Sequence, residues 1–96
     1  MRVEFVSRAS AEFLSALRFY ESEGLNLAAR LLDDVERAVA LIADFPSVGS
    51  PAPADTRRVH LRRFPYSLIY RCGSDVIWVV AMQHHRQKPD TWIDRG

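Results

Sequence analysis

The sequence is poor in cysteine, the residue that forms disulfide bonds and thiolate metal sites. Cys72 is the only cysteine among 96 residues. A single cysteine excludes a disulfide framework within the chain and a metal cluster held by several thiolates. The sequence contains no metal-binding motif either, so we expect neither a metal ion nor another cofactor. A reducing compartment suits such a chain.

Long apolar runs are also missing. The longest one, residues 76–82, is far too short to cross a membrane. Glu4 interrupts the apolar residues at the amino terminus, which therefore does not resemble a secretory signal peptide. We expect a cytoplasmic protein that makes no membrane contacts.

The net charge of +1 conceals an uneven distribution. Residues 1–56 carry five Arg and nine Asp or Glu, a net charge of −4, whereas residues 57–96 carry eight Arg or Lys and three Asp, a net charge of +5. All three histidines lie in the basic part. An acidic partner or a polyanion would be attracted to residues 57–96. Alternatively, the two parts neutralise each other across the fold.

The acidic part predicts a short strand, residues 3–6, and then a helical hairpin. Ser7 or Ser10 would cap the first helix, Gly24 would end it, and Asn26 would cap the second. Apolar residues three and four apart predict one buried stripe on each helix. They are Phe13, Leu14, Leu17 and Tyr20 in the first helix, and Ala28, Leu31, Leu32, Val35, Ala38, Val39 and Ile42 in the second.

The basic part predicts strands. Residues 46–56 contain three of the five prolines and are interpreted as a loop. Residues 58–61 alternate in polarity, and residues 67–71 are strand-like up to a hairpin turn at Gly73. The apolar, β-branched run at residues 76–82 indicates a central strand buried on both faces.

We therefore predict a single α+β domain over residues 1–96, with the helical hairpin packed on one face of a mainly antiparallel sheet. Four charged residues of the second helix should face solvent: Asp33, Asp34, Glu36 and Arg37. Tyr70 and Trp78 should lie in the core rather than form stacking platforms. The other face of the sheet should be polar, and a ligand could bind there.

The element order and several sequence blocks resemble the RelE/ParE toxin superfamily of type II toxin–antitoxin systems. The resemblance covers nearly the whole chain. Each block is weakly specific, but their order and spacing together are specific. They lie at residues 27–28, 32–38, 46–51, 57–66, 69–71 and 85–92.

The resemblance implies a growth-inhibiting toxin, which a cognate antitoxin neutralises by wrapping a segment around it. RelE-like members cleave messenger RNA on the ribosome without a metal, whereas ParE-like members inhibit DNA gyrase. A metal-free ribonuclease needs groups that move protons at the attacking and leaving oxygens, and cations that offset charge on the phosphate.

The basic residues that RelE-like members place on the strand after the loop correspond to Arg58, His60 and Arg62. A period of two puts these three on one side of the strand, which favours a functional face. An ordinary solvated strand edge would show the same pattern.

Near the carboxyl end, Arg86 matches another arginine of the superfamily, and His84 or His85 could carry a proton. Two positions depart from the nuclease pattern. Ser67 stands where RelE-like members have an arginine, and Trp92 stands where they have a tyrosine. Tryptophan can stack on a base but cannot transfer a proton from an oxygen.

A nuclease would contact its substrate through Arg63, Lys88 and Trp92. A gyrase inhibitor would instead dock through its helical hairpin or its carboxyl-terminal tail, and no bond would be broken. The two departures favour this second, ParE-like interpretation. A third hypothesis is a toxin that has lost its activity and persists as a binding module.

Overall fold

The structure is a computed structural model, in which residues 1–86 are described. Within these residues the chain forms two helices and five strands in the order that the sequence predicts, with one additional strand. The elements are β1 (Arg2–Phe5), α1 (Ser7–Glu23), α2 (Leu27–Asp44), β2 (Ser50–Ala52), β3 (Thr56–His60), β4 (Tyr66–Cys72) and β5 (Val76–His84).

All five strands belong to one sheet in the order β1-β5-β4-β3-β2. β1 runs parallel to β5, and the other neighbours are antiparallel. The predicted α+β class with a mainly antiparallel sheet is confirmed. The prediction of three strands after the helices is wrong, because β2 lies in the supposed loop. Pro51 is compatible with β2 since this strand is at the sheet edge, where one side needs no N–H donors.

β5 is central, as predicted, because it lies between β1 and β4. Its pairing with β4 shifts by one residue, so that Val80 is extra between the pairs Tyr70–Val79 and Ile69–Ala81. Such a bulge locally changes which side chains share a face. Ile69, Val80 and Ala81 form a small buried cluster separate from the main core.

The face of the sheet away from the helices, here called the distal face, is therefore not uniformly polar as predicted. It contains the small apolar cluster as well as polar side chains. Trp78 also lies on the distal face, where its neighbours on the adjacent strands are Glu4 of β1 and Arg71 of β4. The side chain of Trp78 is 41% exposed, so the prediction that it lies in the core is wrong.

The main core lies between the helices and the other face of the sheet. Small residues of α1, Ala9 and Ala16, are buried there, which allows this helix to lie close to β5. Tyr70 is fully buried, and Phe13 and Tyr20 pack against the cluster, as predicted. The core side chains of α2 come from the predicted stripe: Leu31, Val35, Ala38 and Ile42. The prediction is wrong for Leu32 on α2 and for Leu14 on α1, which are 40% and 51% exposed.

The helix ends differ in detail from the predicted caps. Ser7 is already helical, and Val6 precedes α1 without any side-chain cap. The N–H of Val6 donates to the carbonyl of Val79, so the β1 ladder continues to the first turn of the helix. Gly24 ends α1 as predicted. Asn26 does precede α2, but in the left-handed conformation (φ 65°) and without a capping side-chain bond.

The loop between α2 and β2 is held by the buried hydroxyl of Tyr70. This hydroxyl donates to the carbonyl of Pro46 (2.7 Å) and accepts from the N–H of Gly49 (2.9 Å). Arg57 adds a bond from Nη1 to the carbonyl of Gly49 (2.7 Å). A Cβ atom at residue 49 would lie 2.8 Å from the Tyr70 oxygen, which is too close, so only glycine fits at this position.

Replacement of Tyr70 by Phe should lower the free energy of unfolding by about 1–3 kcal/mol. The reason is that the buried N–H of Gly49 would lose its acceptor. Urea unfolding followed by circular dichroism measures this change. An unchanged unfolding midpoint would show that the loop does not depend on the hydroxyl.

Candidate functional site

The fold divides the predicted site residues between three places. Arg58, His60 and His85 lie on the distal face. His84 lies on the opposite face of the sheet, toward α1. Arg62 lies in the turn between β3 and β4. The nuclease hypothesis assigns catalytic roles to all of these residues and to Arg86.

On the distal face, His60 and His85 are joined by one serine hydroxyl. His60 lies directly opposite Ser67 in the β3–β4 register. The Oγ atom of Ser67 is 2.6 Å from Nδ1 of His60 and 3.1 Å from Nε2 of His85. The two imidazole rings meet edge to face, with centroids 5.2 Å apart. We call these three residues the His–Ser–His cluster.

The geometry of this cluster restricts its protons. A serine hydroxyl has one proton and two acceptor lone pairs. It can therefore donate to one imidazole while it accepts from the other. The bonded nitrogens of His60 and His85 then take opposite roles, one as acceptor and one as donor. The hydroxyl is buried, but both rings are exposed to solvent.

Ser67 is thus a connecting residue, although the sequence indicated only a missing arginine at this position. Its role depends on the strand register, which places residue 67 opposite residue 60. Nothing in the local pattern specifies that register. The backbone helps to hold the cluster, because the N–H of His85 donates to the carbonyl of Pro65 (2.8 Å).

His84 belongs to a different environment. Its ring contacts the ring of Tyr66 edge to face, with centroids 5.0 Å apart, and its Nδ1 accepts the N–H of Arg86 (3.0 Å). Both aromatic residues line a groove of about 640 Å³ beside α1. Burial and the neighbouring Tyr20 hydroxyl raise the pKa of Tyr66 above its usual 10.0. His84 and His85 therefore lie on opposite faces, as adjacent strand residues do.

Arg62 does not lie on the strand with Arg58 and His60, so this part of the prediction is wrong. β3 ends at His60, and after Leu61, whose N–H donates to the carbonyl of Tyr66, the chain enters the hairpin turn beside α2. There the carboxylate of Asp34 accepts the N–H of Arg62 (3.1 Å) and the N–H of Arg63 (2.8 Å). These two bonds fix the backbone of the turn.

Asp34 is only 5% exposed, so the prediction that it faces solvent is also wrong. The sequence did contain a signal for its burial. Asp34 follows Leu31 by three residues and precedes Ala38 by four, which is the spacing of the apolar stripe itself. An acidic residue at such a position needs partners inside the protein.

The ionised form of Asp34 is favoured despite its burial. Burial by itself would raise the pKa of this carboxyl. The hydrogen bonds from the N–H groups of Arg63 and Arg62, together with the hydrogen bond and charge of Arg37, outweigh this effect. The pKa of Asp34 is therefore lower than its ordinary value of 3.8.

Some predicted groups remain outside these sites. Arg86 is exposed. Lys88 and Trp92 lie outside the described residues. Within residues 1–86, no three His, Cys, Asp or Glu side chains are grouped so that they could hold a metal ion. Over the same residues, neither helix has the length and apolar character needed to cross a membrane.

Comparisons with known proteins agree with this fold. A chain of the solved structure "Chromosomal ParDE TA system from P. aeruginosa" superposes with a TM-score of 0.74. It covers 88% of this chain and 95% of its own length at 20% identity, so the likeness concerns the fold. "Putative toxin Y4kP" of Sinorhizobium fredii (strain NBRC 101917 / NGR234) is 29% identical over 89 residues, which cover 92% of this chain and 93% of that protein.

The class of protein that emerges is the toxin of a type II toxin–antitoxin system. The family described as "ParE toxin of type II toxin-antitoxin system, parDE" matches residues 3–89. The chain belongs to this ParE toxin family. The ParE-like interpretation of the sequence is thereby favoured over the RelE-like one.

Replacement of Ser67 by Ala should disconnect His60 from His85. We expect the free energy of unfolding to fall by about 0.5–1.5 kcal/mol for each of the two hydrogen bonds lost. The imidazole ¹⁵N resonances of both histidines should shift, because each loses its bonding partner. Replacement of the exposed Ser74 by Ala is the control and should change neither quantity. Unaltered histidine spectra in the Ser67 variant would contradict the cluster.

Replacement of Asp34 by Asn should lower the free energy of unfolding at pH 7 by about 1–3 kcal/mol, because a neutral amide is a weaker acceptor for two N–H groups. The folded-state pKa of Asp34 is lowered, so its stabilisation is complete above the ordinary value of 3.8 and is lost as the pH falls through the folded-state pKa. The difference between the two proteins should therefore shrink in acid.

Urea unfolding at pH 7 and at pH 3 measures this dependence. Replacement of the exposed neighbour Asp33 by Asn is the control, and its effect should stay within about 0.5 kcal/mol. Equal effects of the two substitutions at pH 7 would contradict the role of Asp34.

Proposed function

We propose that this chain is a cytoplasmic growth inhibitor that acts by binding DNA gyrase and that a cognate antitoxin neutralises it. The observation that carries the proposal is the match to the ParE toxin family over residues 3–89. Because the match covers nearly the whole chain, we propose that all 96 residues form one toxin domain. Gyrase is the target that membership of the ParE branch implies.

The distribution of the basic residues supports a mode of action without bond cleavage. His84 and His85 lie on opposite faces of the sheet, and the backbone of Arg62 is bound to Asp34. A metal-free ribonuclease would need its proton carriers and cations around one phosphate. Here Arg62 and His84 lie away from Arg58, His60 and His85.

The helical hairpin offers a surface for a protein target. Four large apolar side chains of α1, α2 and the turn between them are at least 40% exposed: Leu14, Phe19, Leu25 and Leu32. Leu25, at the tip of the hairpin, is 89% exposed. A large apolar side chain at such a tip can serve as an anchor in a protein interface. We propose that gyrase contacts the hairpin tip.

One observation favours a second candidate, the RelE-like ribonuclease. The His–Ser–His cluster holds two imidazoles close together, and Arg58 is two residues before His60 on the same side of β3. Two imidazoles could accept and donate protons while the guanidinium offsets phosphate charge. Arg62, His84 and Arg86 would have to contribute from elsewhere.

Gyrase inhibition is the direct test of the first candidate. The toxin, separated from its antitoxin, should inhibit supercoiling of relaxed plasmid by purified gyrase. Replacement of Leu25 by Glu should raise the concentration needed for half inhibition by about tenfold or more, because it places a charge in an apolar contact. Replacement of Val48 by Glu is the matched control, since Val48 is an exposed apolar residue of another loop.

Messenger RNA separates the two candidates in cells. After induction without antitoxin, intact messages together with arrested supercoiling support the gyrase proposal. New 5′ ends inside translated codons, with normal gyrase activity in vitro, would replace it with the ribonuclease. Intact messages, active gyrase and normal growth would leave a binding module without toxicity.

A further inference from the structure

Four arginines line one pocket at the junction of α2 with the β3–β4 turn. Arg30 and Arg37 come from α2, and Arg62 and Arg63 come from the turn. Asp33 and Asp34 complete the lining of this pocket, which has a volume of about 270 Å³. We call it the arginine pocket. It is separate from the His–Ser–His cluster, which lies on the distal face.

We propose that the arginine pocket binds a carboxylate side chain of the cognate antitoxin. The proposal rests on the proposed function only in requiring that an antitoxin exists. It does not depend on whether gyrase is the target. Arg62 and Arg63, which the nuclease hypothesis assigned to RNA, would instead recognise the neutralising partner.

The charge of the pocket favours an anionic group. Both carboxylate oxygens of Asp34 already accept hydrogen bonds from within the protein. Oδ1 accepts from Arg62 and Arg37, and Oδ2 accepts from Arg63. The charges of Asp34 and Arg37 offset each other across 3.3 Å. Three exposed arginines then face only one exposed carboxylate, that of Asp33, and the excess is positive.

The pocket is also well positioned before any partner binds. The bonds of Asp34 to the turn are made by backbone N–H groups, so they hold the α-carbons of Arg62 and Arg63 and leave both side chains available. Arg30 and Arg37 are seven residues apart, two helical turns on one side of α2. Within residues 1–86, the Nε–H of Arg37 is buried without a hydrogen-bond partner.

The lining indicates a protein carboxylate rather than a nucleic acid. A phosphate backbone carries a continuous row of negative charges, and Asp33 at the same pocket would repel it. A single carboxylate brings only one negative charge near Asp33, and arginine binds carboxylates with two parallel hydrogen bonds. Asp33 could then accept a basic group of the same partner segment.

The antitoxin is the partner that the family assignment implies, since the family is defined by a toxin–antitoxin pair. It must bind tightly to a chain whose residues 57–96 carry a net charge of +5. Charge complementarity at buried contacts gives such binding its specificity. A carboxylate bound in the arginine pocket would supply this specificity in addition to the apolar contacts.

The test is calorimetric titration of the toxin with its cognate antitoxin. Replacement of Arg63 by Glu, and separately of Arg30 by Glu, should raise the dissociation constant by about 10- to 100-fold. The effect should weaken at high salt. Circular dichroism and thermal unfolding should match the unaltered toxin, because the N–H of residue 63 still binds Asp34.

Replacement of Arg18 by Glu is the matched control. Arg18 is exposed on α1, and its substitution changes the net charge by the same amount. An equal loss of affinity in this variant would show a general charge effect and would overturn the proposal. Unchanged affinity in both pocket variants would overturn it as well.

The competing occupants give different results. Loss of gyrase binding with unchanged antitoxin binding would assign the pocket to the target and reject the proposal. Loss of binding to a duplex DNA fragment, again with unchanged antitoxin binding, would assign it to nucleic acid and also reject it. Restored affinity when an acidic antitoxin residue is changed to Arg, in complex with the Arg63 variant, would support it. If the toxin failed to inhibit gyrase, the proposed target would be rejected, but the affinities for the antitoxin would still test the arginine pocket.

Discussion

The carboxylate of Asp34 determines how the basic part of the chain is arranged. By accepting two successive N–H groups after β3, it fixes the backbone of the β3–β4 turn beside α2. A buried carboxylate is stable only when its acceptors are used, and here backbone and arginine donors use both oxygens. The turn belongs to a hairpin that the N–H of Leu61 closes by donating to the carbonyl of Tyr66 (2.9 Å). Asp34 thus holds the arginines of this turn next to α2.

The same turn also determines the His–Ser–His cluster on the other side of the sheet. Since β4 begins directly after the turn, its length sets which residue of β4 lies opposite His60. That residue is Ser67, and the end of β5 then brings His85 to the same hydroxyl. One short connection thus positions two polar groupings that face different directions. They can serve different partners because neither shares a side chain with the other.

Local patterns predicted most of the elements, whereas contacts between distant residues decided the rest. The apolar stripe of α2 and the strand pattern of residues 76–82 are properties of neighbouring residues, so both could be predicted from the sequence. β2 could not, because three residues with a proline form a strand only when β3 lies beside them. Ser67 became a site residue through register, and the exposure of Trp78 depends on which face of β5 the helices cover.

These observations also bear on why one superfamily can contain different activities. Arg58, His60 and Arg62 match the spacing of a catalytic strand, but spacing has this meaning only while the strand continues. In this chain β3 ends at His60, and Asp34 of α2 binds the backbone of Arg62 in the turn that follows. The same sequence block therefore divides its basic residues between the distal face and the arginine pocket. Function follows from the assembled geometry of the site and not from the block alone.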